Sequence, residues 1–287
     1  MNESASHQPV VHDPVVITSN QNSFELVALP AASLAVPEDK QVSDCEWVSF
    51  FRIHGRVPML GDDKKPWEYS GWLLYYRMLL EEHPAIPKRW EYWCRAMSAG
   101  RLLNDAIPQI KFAECRAPEA IKLVDRWIRL VCHHEHSSSA MDKLADWFLW
   151  GFGLSKDRPD LSLELNERLY REVNLGPLLL QPCDCLGEWV AVQKGSWNPH
   201  AFFPTPHSVV EMMIRVTLDD DNGDLRSKSV CDPCVGSGRM LLHASNHSLR
   251  LYGMDVDPLM VKICNINGAL FAPWIVRPFP ESFFRGC

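Results

Sequence analysis

The sequence predicts an α/β protein in which a helical amino-terminal domain leads into the first half of a doubly wound parallel sheet. Three observations carry this. Between about residues 41 and 180 apolar residues recur at helical spacing; over 229–244 a strand, a glycine loop and a helix follow one another; and a second short strand from 251 ends in an acidic residue. The chain of 287 residues, 46% hydrophobic and 23% charged, supports at least one sizeable core and excludes wholesale disorder. We divide it into a tail expected to be disordered (1–40), a helical domain (41–180) and a partial α/β domain (181–287).

The first 40 residues carry five acidic side chains, one basic (Lys40) and one aromatic (Phe24), with no Cys, Trp or Tyr. Such a segment buries too little to offset its ordering entropy, so a mobile tail is preferred over the short edge strand that Val15-Val16-Ile17-Thr18 is able to make. From 41 the texture changes, with eight of the eleven tryptophans before residue 180. Helices are expected over 69–83, 88–106, 118–132, 141–154 and 161–173, each bounded by Pro, Gly or Ser-rich turns. In the third, Ile121, Val124, Ile128 and Val131 share one face, with Lys122, Asp125, Arg126 and Arg129 elsewhere. The aromatic set Trp72, Tyr75, Tyr76, Trp90, Tyr92 and Trp93 reads as core packing ahead of a base-stacking or partner surface.

Two clusters look metal-like and fail on spacing. Cys132-His133-His134-Glu135-His136 lacks the two histidines four apart that a helix needs to present one ion, and reads as a solvated helix end. Cys183 and Cys185 form a single CxC with no second pair. No metal site is expected. The ten cysteines lie mostly in apolar patterns, as reduced thiols do, and neither a targeting segment nor ~18 uninterrupted apolar residues occur, so a cytoplasmic location is expected.

The chemistry lies in the last third. Ser229-Val230-Cys231 leads into Asp232-Pro233-Cys234-Val235-Gly236-Ser237-Gly238 and then Arg239-Met240-Leu241-Leu242-His243-Ala244. The glycines let backbone N–H groups approach a ligand, and the helix that follows directs its positive end at the loop. Leu251-Tyr252-Gly253-Met254-Asp255 supplies a carboxylate 17 positions after Gly238, suited to both ribose hydroxyls of an adenosyl ligand. A plain β-α-β turn is the alternative. The third Gly or Ala of a dinucleotide loop is Leu241 here, and Arg239-Met240 replaces the Lys-Ser/Thr of a phosphate loop, which ranks NAD and ATP below S-adenosylmethionine.

Asp-Pro-x-x-Gly-Ser-Gly resembles motif I of the adenine-N6 DNA methyltransferases, in particular the modification subunits of type I restriction–modification systems. Asp184-Cys185-Leu186-Gly187-Glu188-Trp189 resembles the box that precedes their catalytic domain. Phe202-Phe203-Pro204-Thr205-Pro206 with Val209-Val210-Glu211-Met212-Met213 resembles their motif X, and Gly253 to Pro258 with Asn265-Ile266-Asn267 resembles motif II and its helix. The resemblance implies a partial Rossmann-like S-adenosylmethionine-dependent methyltransferase domain. It implies cofactor contacts from Phe203, Thr205, Pro206, Asp232, Pro233, Gly236, Gly238, Asp255 and Asp257, with Met254 or Val256 on the adenine. Thr205 is expected to cap a helix that begins at Pro206.

Adenine methylation needs the base out of the helix, stacked on an aromatic ring and hydrogen-bonded at N6. The resemblance implies that an [Asn/Asp/Ser]-Pro-Pro-aromatic tetrapeptide, motif IV of the family, supplies this, and none occurs in the sequence. No catalytic residue is therefore assigned. Residues 181–287 carry 9 basic and 11 acidic side chains, so a basic face is left to local clustering such as Arg226, Lys228 and Arg250. The leading expectation is a truncated or split adenine-N6 DNA methyltransferase of restriction–modification type, with DNA as substrate and a second chain supplying motif IV. The alternative is a non-catalytic cofactor-binding or scaffold protein of the same descent, while a small-molecule or protein methyltransferase leaves motif X and the Leu186-Gly187 box unexplained.

Overall fold

A computed structural model describes residues 15–16, 66–68, 70–114, 118–132, 137–194, 202–218 and 224–284. The readings made above for residues 133–136 and for the rest of the amino-terminal 65 lie outside these. Helices α1 (Trp72–Leu79), α2 (Arg89–Ala99), α3 (Pro118–Cys132), α4 (Ser137–Gly151), α5 (Leu163–Glu172) and α6 (Gly176–Leu180) come first. Then follow α7 (Cys185–Lys194), α8 (His207–Thr217), strand β2 (Ser229–Asp232), α9 (Arg239–Ala244), β3 (Arg250–Asp255), α10 (Pro258–Phe271) and α11 (Pro273–Val276).

The helix starts and stops follow local chemistry. The α3 segment has the expected bounds, with Val124, Trp127, Ile128 and Val131 buried on one stripe. The α2 helix stops at Ala99, short of the expected 106, because Gly100 takes the left-handed conformation (φ 65°) and closes the end. The Ser162 side chain caps α5 by accepting from Leu165 N at 3.1 Å. Tyr76, Trp90 and Tyr92 are buried, and Trp90 meets Trp93 edge-on at 5.7 Å, so this aromatic set packs the interior.

Strands β2 and β3 pair in parallel, Ser229 opposite Arg250 through Asp232 opposite Gly253. The short edge strand available in the amino-terminal segment is present as β1 (Val15–Val16), antiparallel to β3 with Val15 opposite Asp255, which gives the order β1-β3-β2. Helix α11 also packs against β3. Among the described residues no strand pairs with the outer edge of β2.

One continuous apolar core runs from Leu73 on α1 to Phe279. Two buried arginines stitch α1 and α2 to the carboxyl end of α10. Arg77 Nε donates to Leu270 O at 2.7 Å and its Nη1 to Glu81 at 3.0 Å; Arg89 donates to Phe271 O (3.1 Å), Pro108 O (2.7 Å), Ser245 Oγ (2.6 Å) and the Asn246 side chain. Trp90 Nε1 adds a bond to Ala269 O at 2.9 Å. These cations meet carbonyls that a helix end leaves without helical partners, where the helix dipole is negative.

Candidate functional site

A cleft of about 360 Å³ opens where the loop before α8, the glycine loop and the end of β3 converge. Its walls include Phe203 and Thr205 on one side and Asp232, Asp255 and Asp257 on the other. This is the carboxyl end of a parallel strand pair, the position at which open α/β sheets hold ligands.

The glycine loop is shaped by its neighbours. Gly236 (φ +52°) and Gly238 (φ +94°) both sit in the left-handed region, and a Cβ on Gly238 would lie 2.8 Å from Cys264 Sγ on α10. Their N–H groups, expected to face a ligand, are engaged internally: Gly236 N donates to Asp255 Oδ2 at 2.7 Å and Gly238 N to Val235 O at 2.8 Å. The glycines therefore fix a shape more than they offer donors, and the six-residue α9 begins directly behind them. Val235 N bonds Met254 O at 2.8 Å, which lays the loop across β3. Gly253 makes room for this, since a Cβ there would meet Val235 Cγ2 at 2.8 Å.

The carboxylates have distinct environments. Asp255 accepts from Gly236 N through one oxygen and from Asp257 N at 2.8 Å through the other, so each oxygen keeps a lone pair for a ligand. Asp257, buried, caps α10 by accepting from Leu259 N at 2.9 Å ahead of Pro258. Asp232 closes a turn onto Cys234 N at 3.0 Å. Burial, and then the neighbouring Asp255 charge, push its pKa above the ordinary value.

The cleft brings together seven of the nine expected cofactor residues: Phe203, Thr205, Asp232, Pro233, Gly236, Asp255 and Asp257. Pro206 and Gly238 do not line it. Val256 does, 69% exposed, while Met254 does not. Thr205 is not the helix cap. Pro206 is extended (ψ 140°) and holds that position, so α8 begins one residue later, and the Glu114 carboxylate caps it by accepting from His207 N at 2.6 Å. The Thr205 carbonyl instead accepts from Arg239 Nη1 at 2.9 Å.

Sequence reasoning singled out Asp184 in the box before the glycine loop but not its place behind the cleft. Asp184, fully buried, accepts from Arg239 Nε and Gly187 N (both 2.9 Å), Asn267 Nδ2 (2.8 Å) and Ser237 Oγ. Arg239 also donates to Glu188 at 2.6 Å. The signal was present in the Asp184 and Gly187 spacing: a Cβ at Gly187 would overlap the Asp184 carboxylate.

Elsewhere, Cys183 and Cys185 are buried with their sulfurs 2.9 Å apart, and among the described residues no three His, Cys, Asp or Glu side chains are grouped to hold a metal. The basic patch considered at Arg226 and Arg250 is neutralised, Arg226 by Asp224 and Arg250 by Glu281 (2.6 and 2.7 Å). Among the described residues no helix is long and apolar enough to cross a membrane.

A parallel β-α-β unit with a glycine loop and an acidic cleft at its strand ends defines the class, an α/β ligand-binding domain. Residues 191–272 match the family model described as N-6 DNA methylase. No curated protein and no solved structure matches the chain.

Proposed function

We propose that the chain binds S-adenosylmethionine in this cleft and serves adenine-N6 methylation of DNA as one part of a restriction–modification type enzyme. The observation that carries the reading is the charge of the cleft. Three carboxylates line it, and the cation among the described lining residues, Arg239, is already paired with Asp184 and Glu188. That field suits a sulfonium and an ammonium and opposes the pyrophosphate of a dinucleotide. A volume of about 360 Å³ lies within the range of small-molecule cofactor sites.

In this reading Asp255 receives the ribose hydroxyls, Val256 lies against the adenine face, and Asp232 lies at the amino-acid end. Phe203, with 79% of its surface exposed, and Thr205 form the opposite wall. S-adenosylmethionine supplies an electrophilic methyl group when bound. The residues described here bind and orient it. The base-holding tetrapeptide absent from the sequence is the share we assign to a second chain. Two features support that share: the outer edge of β2 that no described strand covers, and a stripe of exposed apolar side chains on α8, Val209, Met212, Met213 and Val216. A cytoplasmic location accords with DNA as the substrate. The absent tetrapeptide equally favours the second reading, a cofactor-binding or scaffold protein without catalysis of its own.

Titration calorimetry tests the cofactor step. Saturable binding is expected for the wild type, with affinity reduced at least about tenfold in Asp255→Ala, the effect of losing ~1.4 kcal/mol or more of hydrogen bonding. Folded wild-type protein that takes up no S-adenosylmethionine would overturn the reading.

A further inference from the structure

We propose that Asp184 and Arg239 are the positioning residues of the cleft, holding its two walls in register from behind; the functional part of this claim rests on the S-adenosylmethionine reading above. Neither contributes to the acidic field as a free charge. Asp184 lies seven residues before the segment that matches the family model, on the turn that enters α7.

The geometry is that of a junction. One oxygen of Asp184 accepts from Gly187 N and Asn267 Nδ2; the other accepts from Ser237 Oγ and Arg239 Nε. Asn267 also donates to the Ser237 carbonyl at 2.9 Å, so the central residue of the glycine loop is gripped on its side chain and its backbone. Arg239 then reaches across to the Thr205 carbonyl, the opposite wall. Three segments distant in sequence, the entry to α7, the glycine loop and the loop before α8, thus meet through two side chains that are 0% and 5% exposed.

A buried ion pair of this kind adds little net stability over a well-packed apolar replacement, whereas loss of one partner strands the other. Its contribution is geometric. An amide at 184 leaves one acceptor oxygen for four donors and turns an NH2 donor toward two of them, so the junction that joins both walls is broken.

The test compares wild type with Asp184→Asn and with the milder Ser237→Ala, which deletes one donor and leaves the ion pair. Hydrogen–deuterium exchange without cofactor is expected to quicken at least tenfold at residues 236–238 and 203–205 in Asp184→Asn, while 118–132 keeps wild-type protection. In calorimetry the dissociation constant for S-adenosylmethionine is expected to rise at least tenfold. The double variant should bind no more weakly than Asp184→Asn alone, because both act through one junction. Unchanged exchange at both loops, uniform loosening of the chain, or additive losses in the double variant would overturn the proposal. If wild type binds no S-adenosylmethionine, the reading of the site fails, and the exchange data still decide whether Asp184 positions the loops.

Discussion

At the scale of single residues, His243 shows how burial sets a pH limit on this fold. Its Nε2 lies 2.9 Å from His207 Nδ1 behind α8, and Phe112 packs against both rings. Desolvation first, then the His207 and Arg239 charges, lower its pKa to about 4 from 6.5, against a smaller upward pull from Glu211 and Glu114. The unfolded chain therefore binds this proton more tightly than the folded one. The contribution is intact above pH 6.5 and is lost as pH falls toward 4. Melting temperatures across that window should fall more steeply for wild type than for His243→Gln, and parallel curves would refute the assignment. This pair was not legible in the sequence, because the two rings stand 36 residues apart on different helices. Thr205 shows the same limit from another side. The local pattern of a threonine before a proline reads as a cap, yet the capping carboxylate is Glu114, which stands 93 residues upstream of the amide it receives.

At the scale of elements, the carboxyl end of α10 depends on cations from helices almost 200 positions earlier. Arg89 is held by four acceptors in a buried setting, and desolvation lowers its pKa to about 9, with Arg77 adding to the effect. Replacing it with leucine would leave the Phe271 and Pro108 carbonyls and the Asn246 side chain without this donor. We expect a loss of about 3–5 kcal/mol in urea denaturation, since each buried neutral acceptor left unpaired costs about 1–3 kcal/mol. A loss within ordinary surface limits, below about 0.5 kcal/mol, would show that the network is dispensable. The helices themselves were largely readable. Pro118 and the apolar stripe of α3 fix both its start and its face, whereas 88–106 was overextended because apolar Leu102 and Leu103 continue the pattern past Gly100 and pack into the core as irregular chain.

At the scale of the whole molecule, the core crosses the boundary near residue 180 that composition suggests. Trp90 and Trp93 on α2 bond carbonyls at 269 and 277, Lys262 on α10 pairs with Asp142 and Asp146 on α4, and α7 packs between α3 and α10. Scanning calorimetry is accordingly expected to show one cooperative transition for the helical and α/β regions, and two resolved transitions would contradict this. The glycine loop, the acidic strand end and the motif X loop were legible because each is a short local pattern. Their support from Asp184 and Asn267 was not, since it exists only after residues 83 positions apart are brought together. That junction also constrains inheritance. Asp184, Gly187, Ser237, Arg239 and Asn267 satisfy one another's hydrogen bonds or space, so a change at one leaves a stranded charge or a clash at the rest. Across related chains the five are expected to be kept or exchanged as a set, and a lineage in which they drift singly has lost the need for the cleft they hold open.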